Sequence, residues 1–292
     1  MYPAEFAYVR PDGLDAVFTA VDEYADDAKV IAGGQSLLPL MKLRLATPAM
    51  LIDLAGAGEL SGQHRTPSGV RLGAMTTYRE LQHSPHTLGL LPGLGETVAV
   101  IADTQVRARG TIGGAVAHGD PTADLPAMLL ALEAQVHIGS RRGHRRVALD
   151  GFITGVFSTG LADGEIVTAL EIPLPPAGTG AAYEKVEQPA SHLALAGVAA
   201  VLTVEAGTVR RARVAMTGVT TTPRRLTAVE RALVGSTTSD VALSEAAALA
   251  VDGVVPLDDV HASPQYRLHL LEVATRQALQ VAARRAGARW AA

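Results

Sequence analysis

Two glycine pairs, Gly33-Gly34 and Gly113-Gly114, are the residues of this chain best suited to hold a large anion. Glycine accepts positive φ and lets an anion approach main-chain N–H groups without a Cβ in the way. A loop with such a pair is a candidate phosphate cradle. Neither pair sits in a common nucleotide fingerprint: GGQS, at Gly33 to Ser36, lacks the third glycine of a Rossmann turn and the Gly-Lys-Ser/Thr of a P-loop. One pair between a strand and a helix is also ordinary punctuation, so alone it establishes no ligand. Two such stretches suggest one long ligand, of which a dinucleotide cofactor is the natural kind. One stretch would take the pyrophosphate and the other would line the sugar chain. A carboxylate such as Asp124 would then accept hydrogen bonds from hydroxyls. The alternative for Asp124 is a helix-dipole carboxylate worth roughly 0.3–1 kcal/mol.

The elements that must position these residues follow from local pattern. From Val30 the chain reads VIAGGQSLLPLMKLRL. Val30 and Ile31 end a strand, and Ser36 is placed to cap a helix containing Leu37, Leu38, Leu40, Met41 and Leu43, with Pro39 tolerated in its first turn. From Arg107 the chain reads RARGTIGGAVAHGDPTADLPAMLLAL, which we read as a second strand-free, side-chain-poor loop, a turn at Asp120-Pro121-Thr122, and an apolar helix from Leu125 to Leu132. Upstream, Phe6 to Val9 is extended, Leu14 to Tyr24 is an amphipathic helix, and Met50-Leu51-Ile52 is a buried strand ending at Asp53, a turn carboxylate or a ligand contact. Val70 to Ala74 is a short strand, Thr77 starts a helix, and Pro92 to Ile101 is helical. Ala134 to Ile138 and Arg145 to Leu149 form a hairpin. The stretch LPPAGTG, within Pro173 to Gly180, marks a domain boundary. Beyond it, Ala182 to Val186, Leu193 to Val204 and Val209 to Val219 read as an antiparallel sheet, with helices at Ala228 to Leu233, Val241 to Ala250 and Gln265 to Arg284 over one side.

Several side chains invite chemistry and are better explained without it. His83 and His86 lack a third ligand nearby and have Pro85 between them, which favours solvated loop histidines over a metal site. The arginines at 141, 142, 145 and 146 form a solvated hairpin or a docking surface in an acidic whole. With 25 Lys and Arg against 29 Asp and Glu, the net charge of −4 gives no footprint for nucleic acid. The 292 residues, 48% hydrophobic, suffice for two or three domains. No cysteine is present, so neither disulfides nor a cysteine-ligated iron–sulfur cluster can form within the chain. Without a cationic apolar leader or a long apolar run, the expectation is a cytoplasmic protein with no membrane span.

The pair AGGQSLLPLMKLRL and TIGGAVAHGDPTADLPA resembles the FAD-binding medium subunit of the molybdenum hydroxylases, carbon monoxide dehydrogenase and its relatives. The likeness continues through FITG at Phe152, EIVTALEIP at Glu165 and YEKVEQPAS at Tyr183. It implies an α+β fold: a two-part FAD-binding domain of the vanillyl-alcohol-oxidase/PCMH type at residues 1–176, with subdomains of about 1–55 and 56–176. A C-terminal α+β domain follows at 177–292, an antiparallel sheet with helices like that of carbon monoxide dehydrogenase flavoproteins. It implies FAD as cofactor, held by Ile31, Ala32, Gly33, Gly34, Gln35, Ser36 and Leu37, by Thr111, Ile112, Gly113, Gly114 and Ala115, and by His118, Asp124, Leu161 and Lys185. Lys185 would lie beside the isoalloxazine; its alternative is an exposed strand lysine. Relatives often carry a small residue and then a flavin-facing aromatic where this chain has His192 and Leu193. The implied role is an oxidoreductase subunit of a heterotrimer, with a large molybdopterin-binding subunit and a small two-iron two-sulfur subunit. It would take electrons from the clusters and pass them to quinone, NAD or oxygen. No catalytic acid–base pair or metal set of its own is expected. A self-contained flavin reductase and a non-redox nucleotide-binding assembly module are the competing readings.

Overall fold

The first residues build a small parallel sheet from strands too short to stand alone. Strand β1 (Ala7–Val9), helix α1 (Leu14–Tyr24), β2 (Ala28–Ile31), α2 (Leu37–Lys42) and β3 (Met50–Asp53) follow in order, and the sheet runs β1-β3-β2. The computed structural model describes residues 2–24 and 27–287; residues 1, 25–26 and 288–292, inside the expected domain spans, lie outside the described residues. Helix α1 buries Val17 and Phe18 in a core shared with Leu54, Leu60 and Ile166. Asp53 is the turn carboxylate, accepting from the Ala55 amide at 2.9 Å and from the Tyr8 hydroxyl at 2.5 Å. Ser36 precedes α2 but makes no capping bond. At φ −101° and ψ −47° its backbone is already helical, and capping needs an extended residue to turn the hydroxyl back on the amides.

The middle of the chain wraps helices over one face of an antiparallel sheet. Its elements are β4 (Gln63–Arg65), β5 (Gly69–Gly73), α3 (Tyr78–His83), α4 (Pro85–Leu90), α5 (Leu94–Ala99), α6 (Thr104–Arg107), α7 (Ile112–His118), α8 (Asp124–Ala131), β6 (Gln135–Ser140), β7 (Gly143–Ala148), β8 (Ile153–Gly155), β9 (Ser158–Thr159) and β10 (Ile166–Pro173). The sheet order is β4-β5-β10-β6-β7, with β8 and β9 as a separate hairpin. Alternation sends Val70, Leu72, Val136, Ile138, Leu170 and Ile172 into the core under α7 and α8. Three expectations change here. The second glycine pair is inside α7, not in a loop, because Thr111 caps that helix through the Gly114 amide at 3.1 Å. His83 and His86 lie on α3 and α4, which Thr77 and Ser84 cap, so they are helical rather than loop histidines. The arginine hairpin is tighter than read, with only Arg141 and Arg142 between β6 and β7.

On the opposite face of this sheet Glu171 gathers polar partners. It accepts from Thr66 and Ser68, faces His137 Nε2 at 3.0 Å and lies 3.4 Å from Arg146. The Ser68 hydroxyl, with His137 and Thr66, holds its carboxyl down at about 2 against an ordinary 4.5, overcoming the cost of burial.

Strands β11 (Thr179–Glu187), β12 (Ala194–Glu205), β13 (Thr208–Thr217) and β14 (Arg224–Arg225) form the last sheet, antiparallel in that order. Helices α9 (Thr227–Leu233), α10 (Asp240–Ala248) and α11 (Pro264–Gly287) complete the chain. Strand β12 reads as one apolar run because both its faces are covered. Val198, Ala200 and Leu202 pack in the core of α9 to α11, while Ala199 and Val201 join the core that includes α8. The C-terminal helices thus cover one side, and α8 covers the other. Arg267 of α11 is 2% exposed and donates to the carbonyls of Leu195 (2.9 Å) and Gly218 (2.6 Å) and to Asp259 (2.6 Å).

Two stability effects follow. Arg267→Met removes the side-chain donor from the buried Gly218 carbonyl, the part-buried Leu195 carbonyl and Asp259, and should cost about 2–4 kcal/mol in urea unfolding. Glu171 is more acidic folded than unfolded, so its stabilisation is complete above about pH 4.5 and is lost as pH falls toward 2. Glu171→Gln should therefore lower stability by about 1–3 kcal/mol at neutral pH and flatten the acid limb of a stability-versus-pH curve.

Candidate functional site

The turn between β2 and α2 is where the main chain is open. The amides of Gly33, Gly34, Gln35 and Ser36 donate to no group among the described residues. Gly34 holds φ +75°, a conformation that costs a side-chain-bearing residue about 1–2 kcal/mol. Ile31 closes β2 and Leu37 opens α2, so both flank the turn. Gly33 has a different purpose: a Cβ there would overlap the Arg109 carbonyl, so glycine lets the segment before α7 lie against the turn. The two glycine stretches are accordingly neighbours, and a Cβ on Gly114 would come 3.9 Å from that of Ala32.

The second stretch is organised differently. Ile112 N donates to Thr76 O at 3.0 Å, Gly113 N to Ala74 O at 2.9 Å, and Gly114 N to the Thr111 hydroxyl. The first two amides anchor α7 on the chain after β5, and the third closes the helix's own cap. Thr111, Ile112 and Gly113 are buried, while Gly114, beside Ala32, and Ala115 are half-buried. Open donors come from the first stretch, and a close-fitting wall comes from the second. That pairing suits a pyrophosphate with its sugar chain: bare amides for charge, small residues where a chain must pass closely. The residues present fit FAD.

His118 ends α7 and stacks on Phe157, ring centroids 4.8 Å apart. Burial pushes its imidazole below the ordinary 6.5, so it is neutral at neutral pH. Phe157, at the tip of the β8–β9 hairpin, is 56% exposed at φ +53°, and sequence reasoning did not single it out. Leu161 lies just after that hairpin, its amide turned to the Thr159 hydroxyl at 3.4 Å.

Asp124 and Lys185 meet directly. Lys185 Nζ lies 3.0 Å from Asp124 Oδ2, and both side chains are 5% exposed. The Tyr183 hydroxyl donates to Asp124 Oδ1 at 2.7 Å. Tyr183 and Lys185 are two apart on β11 and share a face. The Tyr183 ring finds room because Gly197 on β12 has no Cβ to meet its hydroxyl. Burial pushes the Asp124 carboxyl up, while the Lys185 charge and the Tyr183 hydrogen bond pull it back. Burial and Asp124 keep Tyr183 a phenol. Sequence reasoning did not single out Tyr183 as a partner of Asp124, although its spacing from Lys185 was the available signal. Lys185 is not an exposed strand lysine. Leu193 is 45% exposed, and His192, at φ +57°, pairs with Glu187 at 3.0 Å. No cluster of metal-ligating side chains occurs among the described residues.

Comparison with known proteins bears on what this arrangement serves. Residues 4–175 match the FAD binding domain in molybdopterin dehydrogenase, and residues 181–282 match the CO dehydrogenase flavoprotein C-terminal domain. The chain is 38% identical to the carbon monoxide dehydrogenase medium chain of Afipia carboxidovorans, over 98% of this chain and 99% of that one. It is 36% identical to subunit alpha of the 6-hydroxypseudooxynicotine dehydrogenase complex of Paenarthrobacter nicotinovorans, over 98% and 97%. A solved structure of carbon monoxide dehydrogenase from Hydrogenophaga pseudoflava superposes with a TM-score of 0.95 at 39% identity, covering 98% of this chain and 99% of that chain. An α+β chain with two adjoining glycine stretches, matched in both halves and along nearly its whole length, belongs to the FAD-binding medium subunits of the molybdenum hydroxylases, an oxidoreductase family.

Proposed function

We propose that the chain is the flavin relay of a heterotrimer. It would receive electrons from a small two-iron two-sulfur subunit, whose large molybdopterin-binding partner oxidises the substrate, and pass them to quinone, NAD or oxygen in the cytoplasm. The observation that carries this reading is the turn from Gly33 to Ser36, whose four amides donate to no group among the described residues and which adjoins the second stretch, where a Cβ on Gly114 would come 3.9 Å from that of Ala32. When bound, FAD supplies the means to take electrons singly and release them in pairs.

The chain's own residues bind and orient. Gly33, Gly34, Gln35 and Ser36 would donate main-chain hydrogen bonds to the pyrophosphate, flanked by Ile31, Ala32 and Leu37. Thr111 to Ala115 would keep that passage narrow, with His118 neutral at its edge. Asp124 retains lone pairs beyond those facing Tyr183 and Lys185, so its carboxylate can accept from a hydroxyl of the sugar chain. Leu161 offers a main-chain contact beside the hairpin. We also assign residues 1–176 to flavin binding and 177–292 to a separate α+β domain. With no cysteine in the chain, the clusters that deliver electrons belong to another subunit.

The deciding experiment is an absorption spectrum of the purified chain followed by heat release and chromatography of the flavin. FAD near one per chain is expected; a colourless chain that also fails to take up added FAD overturns the reading. Gly114→Val crowds the Thr111 hydroxyl and the space toward Ala32, and should abolish FAD retention while the chain stays soluble. Wild-type flavin content in that variant would remove Gly114 from the site.

A further inference from the structure

Strands β11, β12 and β13 line up polar residues in one row. Thr179 pairs with Thr203 across β11 and β12, and Thr203 pairs with Arg211 across β12 and β13. Arg213 lies two residues on from Arg211 and shares its face, the one on which its neighbour Val201 joins the core that includes α8. The two threonine hydroxyls bond each other at 2.8 Å. These side chains, Glu133 just beyond α8 and the stretch from Pro173 to Pro176 line a cavity of about 30 Å³. A single water needs roughly 10–15 Å³, so the cavity has room for a small ion and none for a nucleotide.

The lining carries more positive charge than negative. Arg211 and Arg213 share one carboxylate, that of Glu133: Arg211 meets its Oε2, and Arg213 Nε lies 2.6 Å from its Oε1. Glu133 stands at φ +55°, a conformation costly for a residue with a side chain. Asp150 and Glu230 are both paired with Arg225. Burial, with the charges of Arg213 and Arg225, pulls the Arg211 guanidinium below its ordinary range. Beyond Glu133, Arg213 donates to the Ala212 carbonyl at 2.9 Å, and a guanidinium has more N–H donors than these contacts use. Planar forks of donors on one face are suited to the oxygens of an anion. The Arg211 side chain is 42% exposed, which leaves such an ion a way in.

We propose that Arg211 and Arg213 form a binding site for a small oxyanion of the phosphate type, held between the end of α8, the connection from Pro173 to Pro176 and the last sheet. The site shares no residue with the two glycine stretches and does not rest on the flavin reading. An ion there braces the last sheet against α8. Calorimetric titration of the full chain with inorganic phosphate, at an ionic strength matched with chloride, should show saturable binding. Arg211→Gln should weaken it about tenfold, the loss of one charge-assisted contact. Arg210→Gln should leave it unchanged, because Arg210 lies on the opposite face and pairs with Glu205. Absence of saturable binding overturns the proposal. So does equal weakening in both variants, the mark of a general charge effect, or wild-type affinity in Arg211→Gln, the mark of phosphate held at the glycine turn. In the wild-type chain, phosphate should slow phenylglyoxal modification of Arg211 and not of Arg210, as read by mass spectrometry. Equal rates at the two arginines overturn the proposal, and that arm decides the matter should Arg211→Gln fail to fold.

Discussion

The contact between Gly33 and the Arg109 carbonyl is the constraint on which the site depends. It is a contact of backbone on backbone, and any side chain at Gly33 would occupy the carbonyl's place. Through it the small parallel sheet, which carries the open amides, is set against α7, which carries the wall. Gly113 makes a second contact of the same kind, where a Cβ would overlap Ala74. The glycines are therefore unequal. Gly33 and Gly113 admit neighbouring chain, Gly34 admits a positive φ, and Gly114 admits the capping hydroxyl of Thr111, which a Cβ would approach to 2.8 Å.

A buried ion pair joins α8 to β11. Taking Lys185 and Asp124 out of water is costly, and the cost is offset because each Lys185 proton and each Asp124 oxygen has a partner. Tyr183, Val100 and His192 supply those partners. The cluster draws on α5, α8, β11 and the turn before β12, so it reports whether the last sheet is seated on the middle of the chain. Neighbouring bonds reinforce the seating: Thr217 donates to Pro121 O and Ala123 O at 2.9 and 2.8 Å, and Gly218 N donates to Pro121 O at 2.8 Å. Arg267 in turn holds Gly218 from the C-terminal helix.

Much of the local structure was legible because its causes are local. Helix α1 was bounded by apolar spacing at Leu14 and Tyr24, the hairpin of β12 and β13 by β-branched runs around Ala206-Gly207, and the start of α3 by Thr77. The misreadings also have physical causes. Gly113-Gly114 looked like a loop because helix propensity penalises glycine, but close packing of α7 on Ala74 demands it. Ser36 looked like a cap because of its type, and only its backbone angles deny it the geometry.

By itself the sequence determined what each stretch could be: strands from alternation, helices from spacing and caps, free amides from glycine, and no home for a cluster without cysteine. It also carried the pairing of Tyr183 with Lys185, because alternation along a strand puts residues two apart on one face. Only the tertiary structure decided which of two glycine stretches keeps its amides free and that Lys185 is fully engaged. It also showed that Val100, Asp124 and His192 share one nitrogen. The reason is that hydrogen-bond satisfaction is a property of neighbours in space, and these neighbours lie up to 85 residues apart along the chain.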